Sequence, residues 1–295
     1  ILILEIIFII IGFVLLVKGA DFLLKSATSI AKKFGLSETI IGLTVVAIGT
    51  SLPEIFITIT SSINGHSDLI IGNAIGSCIC NFLLVLGISA LVKRVKFDKR
   101  IVKTHIPICI IAMCLVLLLG NITKLEESYI INRWQGVILL FCAIGYIVYT
   151  IYEEKTIKNK TIEKEIIEEV ELKEINSGVI IVIYLILGIL GLKFGSNFVV
   201  DNSILIAEKF GLSENIIGMT IIAVGTALPE IITGIIAAKR NETDLLLGNI
   251  TGSNILNLLL LIGLGAVISP IKLMSNFNMT MLVLIAVTIL LKFVS

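Results

Sequence analysis

The feature that most constrains this chain is a stretch that occurs twice. Residues 35–56, GLSETIIGLTVVAIGTSLPEIF, return at 211–232 as GLSENIIGMTIIAVGTALPEII, identical at 15 of 22 positions without a gap, at an offset of 211 − 35 = 176. The same offset lays GNAIGSCICNFLLVLG at 72–87 on GNITGSNILNLLLLIG at 248–263, and pairs Gly19 with Gly195, Phe22 with Phe198 and Asp68 with Asp244. A repeat of this length marks a duplicated structural unit. Each copy also sets a proline and a glutamate, Pro53–Glu54 and Pro229–Glu230, inside an apolar run.

Composition identifies the solvent. Hydrophobic residues make up 57% and charged residues 15% of the chain, against roughly 25% charged in a soluble domain. Apolar stretches at 3–24, 39–63, 69–92, 101–120, 134–152, 178–200, 213–238, 245–268 and 279–294 are long enough, or nearly so, to cross a hydrocarbon core that takes about 20 residues. The chain therefore reads as an all-α integral membrane protein with nine spans and the lipid bilayer as its surroundings. The first apolar segment has no basic region before it and no small-residue cleavage site, so a signal peptide is not expected. Cys78, Cys80, Cys109, Cys114 and Cys142 fall inside the spans and read as small buried hydrophobes. Cys78 and Cys80, two apart on a helix, point to different faces and suit no shared soft metal. His66 and His105 sit at span ends and read as solvated. A net charge of +1, with no basic and aromatic clusters, gives no reason to expect nucleic acid. No obligate protein partner and no cofactor are expected either.

Residues 1–152 hold five spans, an odd number, so the second copy enters the membrane upside down. Inverted-topology repeats are the plan of many secondary transporters, with substrate sites near the midplane where the halves meet. The expected organisation is a first inverted repeat at 1–152 (helices 1–5), a linker at 153–176 and a second inverted repeat at 177–295 (helices 6–9). Residue 295 corresponds to 295 − 176 = 119, so the fifth helix, NRWQGVILLFCAIGYIVYTIY, has no second copy. The chain also starts at Ile1, and a C-terminal truncation of two five-helix halves is the expectation. Lys32, Lys33, the cluster Lys93, Arg94, Lys96, Lys99, Arg100 and Lys103, and Lys239 with Arg240 fall on one side if the spans alternate, against Lys124, Arg133, Lys209 and Lys272 on the other. The positive-inside bias makes the first side cytoplasmic and the N-terminus external. The linker, EEKTIKNKTIEKEIIEEVELKEIN, falls on the cytoplasmic side and reads as a solvated segment or short surface helix. It lacks EF-hand spacing.

Charges inside a span are costly and mark pathways or sites. Pro53 and Pro229 lack an N–H and clash with the carbonyls of Gly49 and Gly225, so backbone oxygens near 47–50 and 223–226 should be released. Such backbone is tolerated at membrane depth only where it is buried in protein or lines a cavity. Thr50 and Ser51 lie four and three residues before Glu54, and Asn73, Ser77 and Asn81 recur every four residues, as do Asn249, Ser253 and Asn257. Each row gathers oxygens on one helix face. Gly72 with Gly76, and Gly248 with Gly252, let helix backbones approach closely. Two unpaired carboxylates about 4 Å apart repel by about 4 kcal/mol at an effective dielectric of 20, so they share a proton or bind a cation. Oxygen ligands without His or Cys suit Ca²⁺.

AIGTSLPE with GNAIGSCICN, and AVGTALPE with GNITGSNILN, closely resemble the paired alpha repeats of the calcium/cation antiporters, specifically the prokaryotic type of sodium/calcium exchanger. The resemblance implies a ten-helix fold in which helices 2, 3, 7 and 8 form a diamond around four cation sites. It implies Glu54 and Glu230 as central calcium ligands, helped by the carbonyls of Thr50 and Thr226. The carbonyls of Ala47 and Ala223, with Ser51, Ser77 and Ser253, would line sodium sites, and Asn81 and Asn257 would face the middle. Helices 1 and 6 would cross obliquely and slide. Ala227 departs from the serine often found there, which removes a hydroxyl from one sodium site. Asn257, where potassium-dependent relatives carry aspartate, implies no potassium requirement. The expected function is Na⁺/Ca²⁺ antiport by alternating access, not enzymatic. Exchange of H⁺ for Ca²⁺ is the nearest rival, because paired carboxylates also carry protons. A channel fits inverted repeats less well, and an intramembrane hydrolase lacks a nucleophile–histidine partnership or HExxH.

Overall fold

A computed structural model describes residues 2–125, 128–161, 177–211 and 223–294. The helices are α1 (Leu2–Phe34), α2 (Glu38–Thr50), α3 (Leu52–Ile63), α4 (Ser67–Val92), α5 (Ile101–Gly120), α6 (Arg133–Thr161), α7 (Gly178–Lys209), α8 (Ala223–Thr226), α9 (Leu228–Lys239), α10 (Thr243–Ile268) and α11 (Phe277–Val294). Three short strands, β1 (Thr123–Leu125), β2 (Ser128–Ile131) and β3 (Ile271–Lys272), form an antiparallel sheet in the order β1-β2-β3. It is the one non-helical layer among the described residues, and it ties the loop after α5 to the loop after α10.

Six helices among the described residues are long and apolar enough to cross a membrane, and α2 with α3 forms a seventh, broken span bent by 48°. The expected span at 213–238 and the expected linker at 153–176 each fall partly outside the described residues. The expected span at 279–294 is α11, a shorter apolar helix. α1 and α7 run for 33 and 32 residues, about 50 Å at 1.5 Å per residue. A core about 30 Å thick takes helices of that length only at a tilt.

α1 and α7 pack along each other through glycines. Gly12 meets Gly195 and Gly19 meets Gly188, and since 12 + 176 = 188 and 19 + 176 = 195 the two contacts are images of each other. A Cβ on Gly19 would lie 2.7 Å from the Leu192 nitrogen, and one on Gly195 2.7 Å from the Gly12 carbonyl oxygen. Larger residues there would force the helices apart. The same reciprocity recurs deeper in the bundle, where α9 packs on the end of α4 and its counterpart α3 packs on the end of α10. Of the glycine pairs expected to bring helices together, Gly248 and Gly252 do so, since a Cβ on each would lie 2.5 Å from the Thr39 oxygen and 2.4 Å from the Leu43 oxygen. A Cβ on Gly72 or Gly76 would meet nothing within 4 Å among the described residues.

The basic ends gather at one pole. Glu154 on α6 accepts from the Ser37 N–H at 2.7 Å and from its hydroxyl at 3.1 Å, and pairs with Arg100 at 2.9 Å. Asp98 accepts from the Thr39 hydroxyl at 2.9 Å. Asp21 of α1 pairs with Arg240 at the end of α9. Glu153 and Glu154, read from sequence as the start of a solvated linker, thus belong to a helix, and Glu154 is buried against α2.

Two further expectations are corrected. His105 is fully buried rather than solvated, with Glu153 at 3.3 Å and the Tyr146 hydroxyl 3.3 Å from Nδ1. A π-helical turn at Ile101–His105 places the ring inward, toward α6. Cys114 is exposed on the outside of α5, where an apolar thiol faces lipid instead of the core, while Cys78 and Cys109 are buried. His66 is exposed, as the sequence implied.

Candidate cation site

The site forms where the two broken spans face α4 and α10. In the first half α2 ends at Thr50, Ser51 takes φ −84°, ψ 6°, and α3 starts with Pro53 in its first turn. In the second half Ala227 takes φ −87°, ψ 0°, with Pro229 in the first turn of α9. The prolines thus begin new helices, where a missing N–H costs nothing, instead of kinking a continuous one. Glu54 and Glu230 fall in those first turns, where the helix dipole favours negative charge.

The released oxygens differ slightly from the sequence expectation. Ala47 keeps its helical bond from the Ser51 N–H at 3.1 Å and also faces the Ser253 hydroxyl at 3.4 Å. Among the described residues, no backbone N–H bonds across the break to Ile48, Gly49 or Thr50. In the second half the Gly225 carbonyl, deprived of a donor by Pro229, accepts from the Ser196 hydroxyl of α7 at 2.7 Å. Ala20 stands at the corresponding position of α1.

Glu54 and Glu230 are 0% and 2% exposed, and among the described residues none of their four carboxylate oxygens has a geometrically formed hydrogen bond. Glu230 lies close enough to Glu54 to feel its charge. Buried unpaired carboxylates are among the costliest arrangements a fold can hold. Around them Thr50 donates to the Asn249 side-chain oxygen at 3.2 Å, Ser51 and Ser253 hydroxyls meet at 3.3 Å, and Asn73 donates to the Glu54 carbonyl at 3.2 Å. Both side-chain polar atoms of Asn257 are buried without partners among the described residues. Asn81 and Asn257 each open a π-helical turn, Asn81–Val85 and Asn257–Leu261. Such turns re-aim one residue within a helix and recur at functional sites.

Of the residues singled out from sequence, Ala47, Thr50, Ser51 and Ser253 are in mutual contact. Ser77 is buried on α4 and Thr226 ends α8. Ala223 opens α8, and the residues immediately before it, 212–222, lie outside the described residues. Ala227 is buried and offers no hydroxyl.

Sequence reasoning passed over three groups. Asn254 receives the Asn81 amide at 2.9 Å and donates to the Cys78 carbonyl at 3.3 Å, while the Cys78 thiol reaches the Asn254 carbonyl at 3.5 Å. Because 78 + 176 = 254, this is a contact of a position with its own repeat image, a signal the alignment contained. Thr58 and Thr233, one turn beyond the glutamates, bury hydroxyls without partners among the described residues, and their i+4 and i+3 spacing was legible. Ser89, at the far end of α4, buries another.

Among the described residues no three His, Cys, Asp or Glu side chains come together to hold a metal. Two carboxylates surrounded by neutral oxygens form a donor set for a weakly held hard cation rather than a structural metal.

The family described as sodium/calcium exchanger protein matches residues 4–152 and 180–295. The chain is 38% identical over 266 residues to the putative antiporter CaxA of Alkalimonas amylolytica, covering 90% of this chain and 81% of that protein. It is 32% identical to the sodium/calcium exchanger MaX1 of Methanosarcina acetivorans, covering 96% of this chain and 89% of that one. The solved structure of the sodium-calcium exchanger NCX_Mj soaked with Na⁺ and Sr²⁺ superimposes with a TM-score of 0.82 at 33% identity, over 99% of this chain and 91% of that chain. With inverted broken helices, paired carboxylates and these relatives, the chain belongs to the sodium/calcium exchanger family.

Proposed function

We propose that the protein is a secondary antiporter that exchanges Na⁺ for Ca²⁺ at one shared site, independently of K⁺. The observation that carries this reading is the pair Glu54 and Glu230, buried with four carboxylate oxygens that no donor among the described residues satisfies. Two negative charges match one Ca²⁺ or two Na⁺. Three Na⁺ would leave 3 − 2 = +1, so a cycle of three Na⁺ against one Ca²⁺ would move charge, worth about 2.3 kcal/mol per 100 mV. The two ions compete because both need the same carboxylates. The hydroxyls of Ser51 and Ser253 beside the Ala47 carbonyl supply the neutral oxygens that favour Na⁺ over H⁺ as the coupling ion. The pole that gathers Lys32, Lys33, Arg100 and Arg240 is the cytoplasmic one by the positive-inside bias, which places the N-terminus outside.

The test is ⁴⁵Ca²⁺ uptake into Na⁺-loaded proteoliposomes, with outward Na⁺, K⁺ and H⁺ gradients imposed one at a time. Uptake should follow the Na⁺ gradient alone and accelerate with an inside-positive potential, which moves the net charge outward. Uptake driven by H⁺ alone would falsify the sodium reading and install the proton-coupled one.

A further inference from the structure

Asn254 meets its own repeat image, Cys78, where α10 packs on α4, and the two side chains make different bonds there. The Asn254 amide donates to the Cys78 carbonyl at 3.3 Å, and the Cys78 thiol donates to the Asn254 carbonyl at 3.5 Å. Both residues are 0% exposed. A backbone carbonyl can only accept, so Asn254 must turn its NH₂ to Cys78 and its side-chain oxygen the other way. That oxygen accepts from the Asn81 amide at 2.9 Å. Asn81 in turn uses its NH₂ on Asn254, and its oxygen is the end left over. Two carboxamides in series thus carry the polarity of one backbone carbonyl to Asn81.

The image of this relay is broken. Asn257 corresponds to Asn81, since 81 + 176 = 257, and the residue in the orienting place is Cys78 instead of Asn254. A thiol is a weak acceptor, and here its hydrogen is directed to the Asn254 carbonyl. Both polar side-chain atoms of Asn257 are accordingly buried without partners among the described residues. Its oxygen and NH₂ can change places without breaking a bond.

The held amide stands beside the carboxylates. Asn81 is 1% exposed and opens the π-helical turn that packs against α9, whose first turn carries Glu230. Four and eight residues before it on the same face of α4 are Ser77 and Asn73, and Asn73 donates to the Glu54 carbonyl at 3.2 Å. Cys80, next to Asn81 in the chain, feels the charge of both Glu230 and Glu54. A carboxamide in such surroundings serves a cation with its oxygen and repels it with its NH₂. The end it presents decides its contribution.

We propose that Asn254 is a positioning residue for cation binding: it holds Asn81 with its oxygen available to the ion at Glu54 and Glu230, while Cys78 leaves Asn257 free to turn. This rests on Glu54 and Glu230 forming the shared cation site. A held oxygen loses no orientational freedom when the ion arrives, so the two middle amides are unequal ligands.

The test pairs ⁴⁵Ca²⁺ binding to the purified protein with Na⁺-driven uptake at saturating Ca²⁺. Binding reads the relay whether or not transport is coupled to Na⁺, so absent uptake with intact binding would remove the antiport reading alone. Asn254→Cys installs the residue that the fold already holds at the image position, with its thiol donor, and removes the acceptor for Asn81. It should weaken Ca²⁺ binding by up to about tenfold, the weight of one oxygen on a charged partner, and leave uptake at saturating Ca²⁺ unchanged. Adding Cys78→Asn to that variant transposes the relay to Asn257 and should restore the affinity. In the wild-type background Asn81→Ala should weaken binding more than Asn257→Ala. Unchanged affinity in Asn254→Cys overturns the proposal, as does a loss of uptake with affinity intact, which marks helix packing alone, or a weakening that Cys78→Asn fails to reverse. Equal effects of Asn81→Ala and Asn257→Ala overturn it whether or not any variant at position 254 folds.

Discussion

The two helix breaks are copies of one design, and they have diverged in their hydroxyls. Ser51 and Ala227 adopt the same backbone, φ −84°, ψ 6° and φ −87°, ψ 0°. Around the first break Ser51, Ser253 and the Ala47 carbonyl form a connected set of oxygens. At the second, Ala227 removes the corresponding hydroxyl, and Ser196 of α7 instead occupies the Gly225 carbonyl. Backbone geometry is set by Gly, Thr, Pro and helix ends, which both copies keep. Ligand supply is set by single side chains, which drift independently. The halves are therefore equivalent as scaffolds and unequal in the side-chain oxygens they present at the break.

The largest expected effect tests where the halves are still equal. Glu54→Gln and Glu230→Gln each remove one unit of negative charge facing the transported cation, about 4 kcal/mol per unit charge of the ion at 4 Å and a dielectric of 20 and twice that for Ca²⁺, so Ca²⁺ transport should drop by more than about a thousandfold. Proteoliposome uptake should fall to background for both. Normal transport by either variant would remove the shared-site assignment, and a large difference between them would extend the asymmetry to the centre.

A second comparison concerns the helix starts after each turn. His66 and Glu242 are repeat images, since 66 + 176 = 242, and they cap α4 and α10. His66 is exposed, whereas Glu242 is 4% exposed with one oxygen unpartnered. Burial pushes the Glu242 carboxyl up to about 7, opposed by Arg240 and reinforced by the charge of Glu38. A raised carboxyl favours the protonated folded state, so its contribution is full below the unfolded value of 4.5 and is lost as pH rises to about 7. The loss amounts to as much as about 3 kcal/mol. Glu242→Gln should flatten the pH dependence of thermal unfolding in that window and raise stability above it. Parallel curves for variant and wild type would show that burial does not perturb Glu242.

The smallest effect addresses the divergence itself. Ser51→Ala makes the first break resemble the second and should raise the Na⁺ concentration for half-maximal exchange about tenfold, the weight of one oxygen on a charged partner at about 1.5 kcal/mol. Ala227→Ser should lower it. If both variants match the wild type, neither hydroxyl is a sodium ligand, and the asymmetry concerns packing alone.

Much of this was legible in residue order. The 176-residue offset announced the inverted halves, and the Pro–Glu pairs inside apolar runs announced both broken spans and the carboxylates. The spacing of Asn73, Ser77 and Asn81 placed them on a common face. What escaped were contacts between segments remote in sequence. His105 looked solvated because it ends a span, but a π-helical turn and α6 enclose it. Glu154 looked like linker, yet it bonds Ser37, 117 residues away. Asn254 stood one residue off the spaced row, and its meeting with Cys78 needed the two halves assembled.

The sequence by itself determined the solvent, the duplication, the sites of helix breakage and the pair of intramembrane charges. These follow from local chemistry: apolar runs partition into lipid, proline cannot donate, and a buried carboxylate demands a partner. Only the tertiary structure decided which hydroxyls reach which carbonyls and which ionisable groups are enclosed. Those outcomes depend on helix rotation and crossing, here set by glycine contacts between α1 and α7 and by π-helical turns, and a one-residue change in either re-aims every side chain beyond it.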